Sequence, residues 1–202
     1  MRALAVLLLP VVPLAAAAQP RYEIDPVHTR IAILVGHSHF SRAIGTLSGS
    51  TGNIWYDPDA PDRARVEVSM PLARIDFGDA AWNDAVGGRA LLDSARSPEA
   101  RFISTAVEPL PDGELRIRGE LELRGVTAPV VLDARVNALR RHPMPPFRRT
   151  LGVSARAMLD RRSFGVNGFP NTVGHEVEVL IELEAMRAPR GSDESAQPED
   201  AA

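Results

Sequence analysis

Apolar and polar side chains alternate along most of the chain between residues 21 and 187. The alternation is most regular in residues 114–123, where every second residue is apolar or glycine and those between are charged. A period of two residues is typical of a β-strand that buries one face and exposes the other to water. Residues 63–70 and 176–184 show the same pattern. We therefore predict three β-strands, each with one buried face and one solvent-exposed face.

Weaker alternation marks further strands, and turn residues separate them. The less regular segments are residues 22–24, 30–35, 43–47, 101–107, 130–136 and 150–159. Chain reversals are indicated by Pro58 and Pro61 among aspartates, by Pro-Asp-Gly at residues 111–113 and by Asn-Gly at residues 167–168. Because these short strands follow one another closely, we expect them to pair antiparallel.

One segment has a helical pattern instead. We expect it to run from Asp79, as its N-cap, to about Arg96, with a break at Gly87-Gly88 and an end at Pro98. The rest of the chain is then all-β and antiparallel, with eight or nine strands. Such strands form either a closed barrel or a two-sheet sandwich, and the periodicity is consistent with both.

Small residues at inward positions bear on what a barrel would contain. A barrel of about eight strands is just wide enough to be filled by its own side chains or to hold one small ligand. Aromatic residues are only 5% of the chain. The small inward residues are Ala64, Gly119, Ala134, Ala155 and Ala157. We therefore expect a barrel interior with room for a ligand.

Residues 1–18 have the three-part pattern of a secretory signal peptide: Arg2, an apolar run, and small residues before a cut after Ala18. The apolar run contains prolines and is shorter than the roughly 20 residues of a membrane-spanning helix. The chain has no cysteine, so we expect neither a lipid anchor at the cut nor disulfides. We expect export to the periplasm and one soluble domain over residues 19–187.

The charge of the chain bears on its partners, and the composition of its C-terminal residues bears on the extent of the folded domain. The net charge of −3 and the sequence pI near 6.0 indicate no broad basic surface, so we expect no nucleic-acid partner. Residues 188–202 are small, polar and acidic, and cannot bury enough apolar surface to offset the entropy lost on ordering. We predict a disordered tail there.

Five segments of the chain carry a further signal. They are residues 22–29 (YEIDPVHT), 35–40 (VGHSHF), 91–102 (LLDSARSPEARF), 119–130 (GELELRGVTAPV) and 162–166 (RSFGV). Taken in order, they resemble the YceI-like family of secreted, lipocalin-like proteins that bind polyisoprenoid lipids. The resemblance implies a closed, lipocalin-like antiparallel barrel with a short helical insertion, an apolar tunnel for a long isoprenoid chain, and no catalysis. It also leaves a homodimer open, since dimers are common among such barrels.

The inward faces of the strands and this resemblance together give candidate ligand contacts. They are His37, His39, Phe40, Val66, Val68, Trp82, Ile117, Leu121, Leu132, Val153, Phe164 and Val179. Each methylene that leaves water contributes about 0.8 kcal/mol, so such a wall suits an isoprenoid or fatty-acyl lipid. We expect no cofactor other than a bound lipid of this kind.

Three histidines raise alternatives. His37 and His39 lie two apart at a predicted strand end, so both rings would project from one face, and His28 would approach from the neighbouring strand. They would either cap the tunnel and meet a lipid head group, or bind a metal in a metal-dependent enzyme. Because no acidic third ligand, nucleophile elbow or phosphate-binding loop accompanies them, we expect neither a metal site nor an enzyme.

A basic loop is a candidate membrane contact. Residues 140–149 place Met144 and Phe147 among prolines and arginines. Anionic lipid surfaces attract such segments by about 1 kcal/mol per basic residue. We predict transient membrane-surface contact through this loop, with a solvated hairpin connection as the alternative.

The sequence thus predicts a non-catalytic periplasmic binding or carrier protein for an apolar, isoprenoid-type lipid held in the barrel. The alternative from another class is a ligand-free structural or stress-associated interaction protein with a packed barrel. The barrel interior distinguishes them: an open apolar interior favours the carrier, and a polar or solid interior favours the interaction protein.

Overall fold

The computed structural model describes residues 19–189. The predicted signal peptide lies outside the described residues, and so does the predicted tail from residue 190 onward. Ala188 belongs to the fold, because it is buried and its backbone N–H donates to the Arg21 carbonyl at 2.9 Å. The folded domain therefore extends just past the predicted boundary at Arg187.

Within these residues the chain forms eleven β-strands and one α-helix, and the strands pair antiparallel. The strands are β1 (Arg21–Ile24), β2 (Arg30–His37), β3 (Ser41–Ser48), β4 (Thr51–Trp55), β5 (Arg65–Pro71), β6 (Ile75–Asp76), β7 (Glu99–Pro109), β8 (Glu114–Leu123), β9 (Val126–Arg141), β10 (Arg149–Asp160) and β11 (Val173–Arg187). The helix, α1, covers Ala80–Gly87. Across the described part of the chain, helices are too short or too polar to cross a bilayer.

Eight strands close into a barrel in the order β1-β4-β5-β7-β8-β9-β10-β11, and β11 returns to β1. Closure depends on the length of β11, which pairs with β10 along one edge and with both β1 and β2 along the other. β2 and β3 continue the sheet beyond the ring, and β6 pairs with β3. The prediction of a closed antiparallel barrel is confirmed, and the sandwich alternative is excluded.

The alternation places apolar side chains inside the barrel, as predicted. In β8, Leu115, Ile117 and Leu121 are buried, and the charged residues between them are exposed or only partly covered. Gly119 shares this inner face, and a Cβ there would lie 2.4 Å from the Phe102 ring of β7. The Phe102 ring therefore packs against bare backbone of β8, which requires glycine at this position.

Most connections lie at one end of the barrel or the other. Residues 25–29 and 49–50 lie on its flank instead, because each joins two strands that run in the same direction. One end, which we term the α1 end, carries residues 38–40, 72–98, 124–125 and 161–172. The other, which we term the far end, carries residues 56–64, 110–113 and 142–148, with the start of β1 and the end of β11. The turn between β2 and β3 thus lies at the same end as α1.

The helical segment is shorter than predicted. α1 begins after Asp79, whose carboxylate accepts a hydrogen bond from the Trp82 N–H at 3.1 Å, so the predicted N-cap is confirmed. The helix ends at Gly87, because Gly88 adopts an extended conformation with ψ 167°. Residues 88–97 form turns instead of a second helical piece. The predicted extension to Arg96 is therefore wrong.

Two strands were not predicted, β4 and β6. Gly52 and Asn53 give β4 the composition of a turn, yet Gly52 pairs in register with Val68 of β5. Gly52 has a φ of 144°, and a Cβ there would lie 2.0 Å from the Glu67 carbonyl oxygen. Glycine therefore lets β4 approach β5 closely at a point where other residues would clash.

Candidate functional site: an apolar cavity open at the α1 end

The barrel encloses a cavity of about 470 Å³ whose wall is almost entirely apolar. Side chains from β2 to β11 contribute to the wall, and so do Phe77, Trp82 and Phe169 from connections at the α1 end. Volumes of about 300–1,000 Å³ are typical of small-molecule sites. The cavity is therefore large enough for a ligand, and it offers that ligand mainly hydrocarbon.

Small side chains on neighbouring strands create this space. Ala134 of β9 lies directly opposite Ala155 of β10, and Ala155 lies opposite Ile181 of β11. Ala64 and Ala157 also line the cavity, as expected from their inward positions. Opposite residues on paired strands have their Cβ atoms about 5 Å apart, so a larger side chain here would extend into the cavity.

Packed side chains close the far end of the barrel. Tyr22 and Leu151 are only 2% and 1% exposed, and Ala185 is 0% exposed. The Arg187 guanidinium lies over the Tyr22 ring, 5.6 Å from its centroid.

The wall residues that are exposed to solvent lie at the α1 end. Trp82 and Phe169 are 41% and 50% exposed, and Ala85 and Thr172 are also exposed. The wall residues of the barrel strands are buried or half-buried. The cavity therefore opens at the α1 end, beside the helix.

Helix α1 lies at this opening, and none of its residues is buried, although Val86 packs half-buried against the core. The Asn83 side-chain amide donates to the Asp76 carboxylate at 2.9 Å, and its oxygen accepts from the Phe77 N–H at 2.7 Å. The hydrogen bonds from the Asn83 amide and the Gly78 N–H lower the pKa of Asp76. The helix is therefore anchored with little apolar burial.

Aromatic rings form one side of the opening. The Trp82 ring lies 5.1 Å from the His37 ring and 6.3 Å from the Phe77 ring, measured between centroids. Phe77 in turn lies against the backbone of Gly45, where a Cβ would come within 2.6 Å of the ring. Gly45 on β3 therefore fixes the position of Phe77, and Phe77 supports Trp82.

A buried arginine holds the connection on another side of the opening. The Arg161 guanidinium donates to the carbonyl oxygens of Val173 and Gly174, each at 2.8 Å, and to that of Val166. Burial lowers the pKa of Arg161, which is only 5% exposed. Because its donors bind backbone carbonyls, the guanidinium shapes the connection and leaves the wall apolar.

The structure separates the histidines that the sequence brings together. His37 ends β2 and lines the cavity. Ser38 and His39 adopt positive φ angles of 49° and 60°, which reverse the chain and place His39 outside the wall. His28 lies before β2 and binds Asp25 at 2.8 Å. The predicted shared histidine face is therefore wrong, and the described chain contains no group of three side chains suited to a metal ion.

The predicted position of Phe40 in the wall is also wrong. Its side chain is 94% exposed, and it does not line the cavity. The tight turn after His37 causes this, since the Phe40 N–H donates back to the His37 carbonyl at 3.0 Å. The turn presents Phe40 to solvent beside the opening.

The other candidate ligand contacts lie together in the cavity wall. They are His37, Val66, Val68, Trp82, Ile117, Leu121, Leu132, Val153, Phe164 and Val179. Their contact with a ligand stays a prediction. Sequence reasoning missed Phe169 and Arg161. The signal for Phe169 was a large aromatic residue among the turn residues Asn, Gly and Pro at 167–170.

The basic loop lies at the far end. Residues 142–148 join β9 to β10, and Met144 and Phe147 are 61% and 52% exposed. Because β9 runs for 16 residues from the α1 end, the loop and the opening are separated by the length of the barrel. Membrane contact through residues 140–149 stays a prediction, but such contact would hold the opening away from the membrane.

Comparisons with known proteins agree with this architecture. The YceI-like domain model matches residues 22–185. A UPF0312 protein of Pseudomonas savastanoi pv. phaseolicola is 27% identical over 173 residues, covering 86% of this chain and 88% of the relative. Among solved structures, BcnA of Burkholderia cenocepacia has a TM-score of 0.72 at 20% identity, covering 81% of this chain and 99% of BcnA.

A second structural neighbour is a polyisoprenoid binding domain from Saccharophagus degradans. It has a TM-score of 0.59 at 11% identity, covering 83% of this chain and 98% of the neighbour. At these identities the structural likenesses show a common barrel fold. Because the family model spans nearly the whole described domain, the chain belongs to the YceI-like family.

Proposed function

We propose that this protein is a non-catalytic binding or carrier protein for an apolar, isoprenoid-type lipid held in the barrel interior. The observation that carries the proposal is the cavity of about 470 Å³ with an almost wholly apolar wall. The polyisoprenoid binding domain among the structural neighbours supports the same class of ligand. A packed-barrel interaction protein fits less well, because its interior would be solid.

The wall indicates which part of the ligand is recognised. Each methylene removed from water contributes about 0.8 kcal/mol, so a hydrocarbon chain fits this wall better than a polar molecule does. The far end is closed by Tyr22, Leu151 and Ala185. A polar head group would therefore stay at the α1 end, near His37 and Thr172, while the chain lies inside.

The bilayer is the real competitor for such a ligand. Lipid tails are about as apolar as the cavity wall, so transfer from membrane to protein changes the free energy of the hydrocarbon little. Ligand would then be taken up and released again, which suits a carrier better than a permanent store.

We also propose that the protein is periplasmic. Residues 1–18 carry the pattern of a secretory signal peptide, which supports this proposal. Fractionation of the native host would test this placement, with the mature protein expected in the periplasmic fraction. Retention of the full chain in the cytoplasm would contradict it.

Native mass spectrometry of mature protein from its own cell envelope tests the function. We expect a mass increment on the folded protein, and organic extraction should release an isoprenoid or fatty-acyl lipid. Protein that is repeatedly empty, and that ignores added geranylgeraniol and palmitate, would contradict the carrier. It would favour the interaction protein instead.

A further inference from the structure

Exposed aromatic residues surround the opening of the cavity. Phe40 is 94% exposed, Phe169 is 50% exposed and Trp82 is 41% exposed. They come from separate segments: the turn between β2 and β3, the connection before β11, and helix α1. We term these residues the aromatic rim.

Contacts between the segments hold the aromatic rim together. The Ser38 N–H donates to the Thr172 carbonyl at 2.6 Å, which joins the turn of Phe40 to the connection of Phe169. The Trp82 ring lies 5.1 Å from the ring of His37, the residue that starts the same turn. The segments that carry the three rim residues are therefore in contact at one end of the barrel.

The outward position of Phe40 is built into the backbone. Ser38 and His39 have φ angles of 49° and 60°, a region that few residues other than glycine adopt. A turn with these angles presents Phe40 to water, although a buried position would be favoured for its ring. An aromatic side chain held in this way next to an apolar cavity suits an interface with hydrocarbon.

The chemistry of ligand exchange identifies the partner. A long hydrocarbon that crosses water loses all the free energy it gains from the wall, so passage through water is slow. A protein partner seated on the rim would block the opening. A bilayer pressed against the rim would instead make a continuous apolar path from the cavity to the acyl chains, with aromatic rings at the membrane–water boundary.

We propose that the α1 end docks on a phospholipid bilayer through the aromatic rim, so that ligand passes between cavity and membrane without crossing water. This inference rests on the proposed lipid-binding function. Two ion pairs at this end, Arg42 with Glu178 and Arg162 with Asp160, neutralise charges there. Because the three rim residues are uncharged aromatics, docking depends on apolar contact, and zwitterionic phosphatidylcholine suffices as the partner.

The two tryptophans of the chain report on opposite ends of the barrel. Trp82 lies in the rim, whereas Trp55 ends β4 at the far end, with the Arg65 guanidinium 3.8 Å from its ring centroid. Trp55→Phe leaves only the rim reporter, and Trp82→Phe leaves only the far-end reporter. Each variant is mixed with phosphatidylcholine vesicles whose acyl chains carry bromine, which quenches nearby tryptophan emission.

We expect bromine to quench Trp82 in the Trp55→Phe variant and to leave Trp55 emission unchanged in the Trp82→Phe variant. Adding Phe40→Asp to the Trp55→Phe variant should abolish the quenching, although Phe40 does not line the cavity. Quenching of Trp55 but not Trp82 would overturn the proposal in favour of docking at the far end. Absence of quenching at both positions would also overturn it.

Ligand transfer separates this inference from the proposed function. Protein loaded with anthraniloyl-labelled geranylgeraniol is mixed with phosphatidylcholine vesicles, and transfer is followed at increasing vesicle concentration. For the wild type we expect a rate that rises with vesicle concentration, as transfer by collision requires. Phe40→Asp should slow transfer about tenfold, the factor for losing one buried aromatic contact, with unchanged affinity for the labelled alcohol.

Phe147→Asp is the matched control, because Phe147 is an exposed phenylalanine at the far end. It should transfer ligand at the wild-type rate. If wild type fails to bind any prenyl or acyl ligand, the proposed function itself fails. If Phe40→Asp binds the labelled alcohol and transfers it as fast as wild type, the carrier stands and the docking proposal fails.

Discussion

The two ends of this barrel are built from the same strands, but one is closed and the other is open. At the far end, Tyr22, Leu151 and Ala185 are buried. At the α1 end, a helix without buried residues lies beside the opening. The difference teaches that a closed barrel can cover one end with packed side chains and leave an opening beside a thinly packed helix at the other.

The connections at the α1 end also differ from a closely packed structure. Several residues other than glycine with positive φ lie at the α1 end, among them Ser38, His39, Arg124 and Phe169. Leu72, Leu91, Phe164 and Val166 are buried at this end, but α1 and the turn at residues 38–40 contain no buried residue, and hydrogen bonds of Asn83 help to hold the helix. Regions with few buried apolar contacts open locally at low free-energy cost. We therefore expect α1 and the turn at residues 38–40 to open without unfolding of the barrel.

The largest expected effect concerns stability at the far end. Leu151→Ala removes a side chain that is 1% exposed, and we expect it to lower the free energy of unfolding by about 2–5 kcal/mol. Trp82→Ala at the α1 end should lower it by less than about 1 kcal/mol, because this side chain is 41% exposed. Urea unfolding followed by circular dichroism measures both. Equal losses at the two positions would contradict the division between the ends.

The next largest effect is the loss of ligand affinity when the cavity between the two ends is filled. Ala155→Phe places a ring in the cavity, where Ala155 faces Ala134, and should weaken binding of geranylgeraniol about 30-fold or more, equivalent to about 2 kcal/mol. Ala106→Phe is the matched control on β7, because Ala106 is exposed and does not line the cavity. Fluorescence titration gives both affinities. Unchanged binding by Ala155→Phe would place the ligand outside the barrel.

A smaller effect concerns the support of the opening. In Gly45→Ala the new methyl group would lie 2.6 Å from the Phe77 ring, so Phe77 must move and Trp82 loses its neighbour. We expect ligand to dissociate about fivefold faster, a change of about 1 kcal/mol in the barrier. Gly152→Ala is the control, since a Cβ there has its nearest neighbour at 3.9 Å. Stopped-flow dissociation should show the wild-type rate for this control, and an equal rate for Gly45→Ala would contradict the role of Phe77.

The smallest expected effect is the pH dependence of stability that comes from the pair of His28 and Asp25, in the connection between β1 and β2. The hydrogen bond to Asp25 raises the pKa of His28 above 6.5. Burial raises the pKa of Asp25, but the hydrogen bonds from His28 and the Val27 N–H outweigh it and hold this pKa below 3.8. The His28 contribution to stability is present below pH 6.5 and is lost as pH rises through its raised pKa. The Asp25 contribution is present above pH 3.8 and is lost as pH falls through its lowered pKa.

Wild type should therefore exceed His28→Gln in stability mainly between pH 3.8 and 6.5. Urea midpoints measured across this range would show the difference, and ligand affinity should not change with it. A stability difference that is constant up to alkaline pH would contradict the ion pair.

The sequence predicted the barrel because one-sided burial leaves a period of two. β5, β8 and β11 have long alternating runs, and their inward residues line the cavity as expected. β4 was missed because Gly52, which permits close approach to β5, has the composition of a turn. Local composition therefore predicts strands well except where close backbone contact between strands requires glycine.

The site was less predictable, since it depends on where strands end. His37, His39 and Phe40 share a face only if β2 continues, but two positive φ angles after His37 reverse the chain. Neither glycine nor asparagine stands at these two positions, so the sequence gives little warning. The volume of the cavity could not be predicted from the sequence either, because it depends on which small residues face each other, as Ala134 and Ala155 do.

A crystal structure with a brominated prenyl ligand tests the central claim most directly. The anomalous signal of bromine locates the hydrocarbon independently of how the chain is fitted. We expect bromine inside the barrel, between Leu151 at the far end and Trp82 at the α1 end. Bromine on the outer surface alone, or a barrel interior filled by its own side chains, would contradict the account.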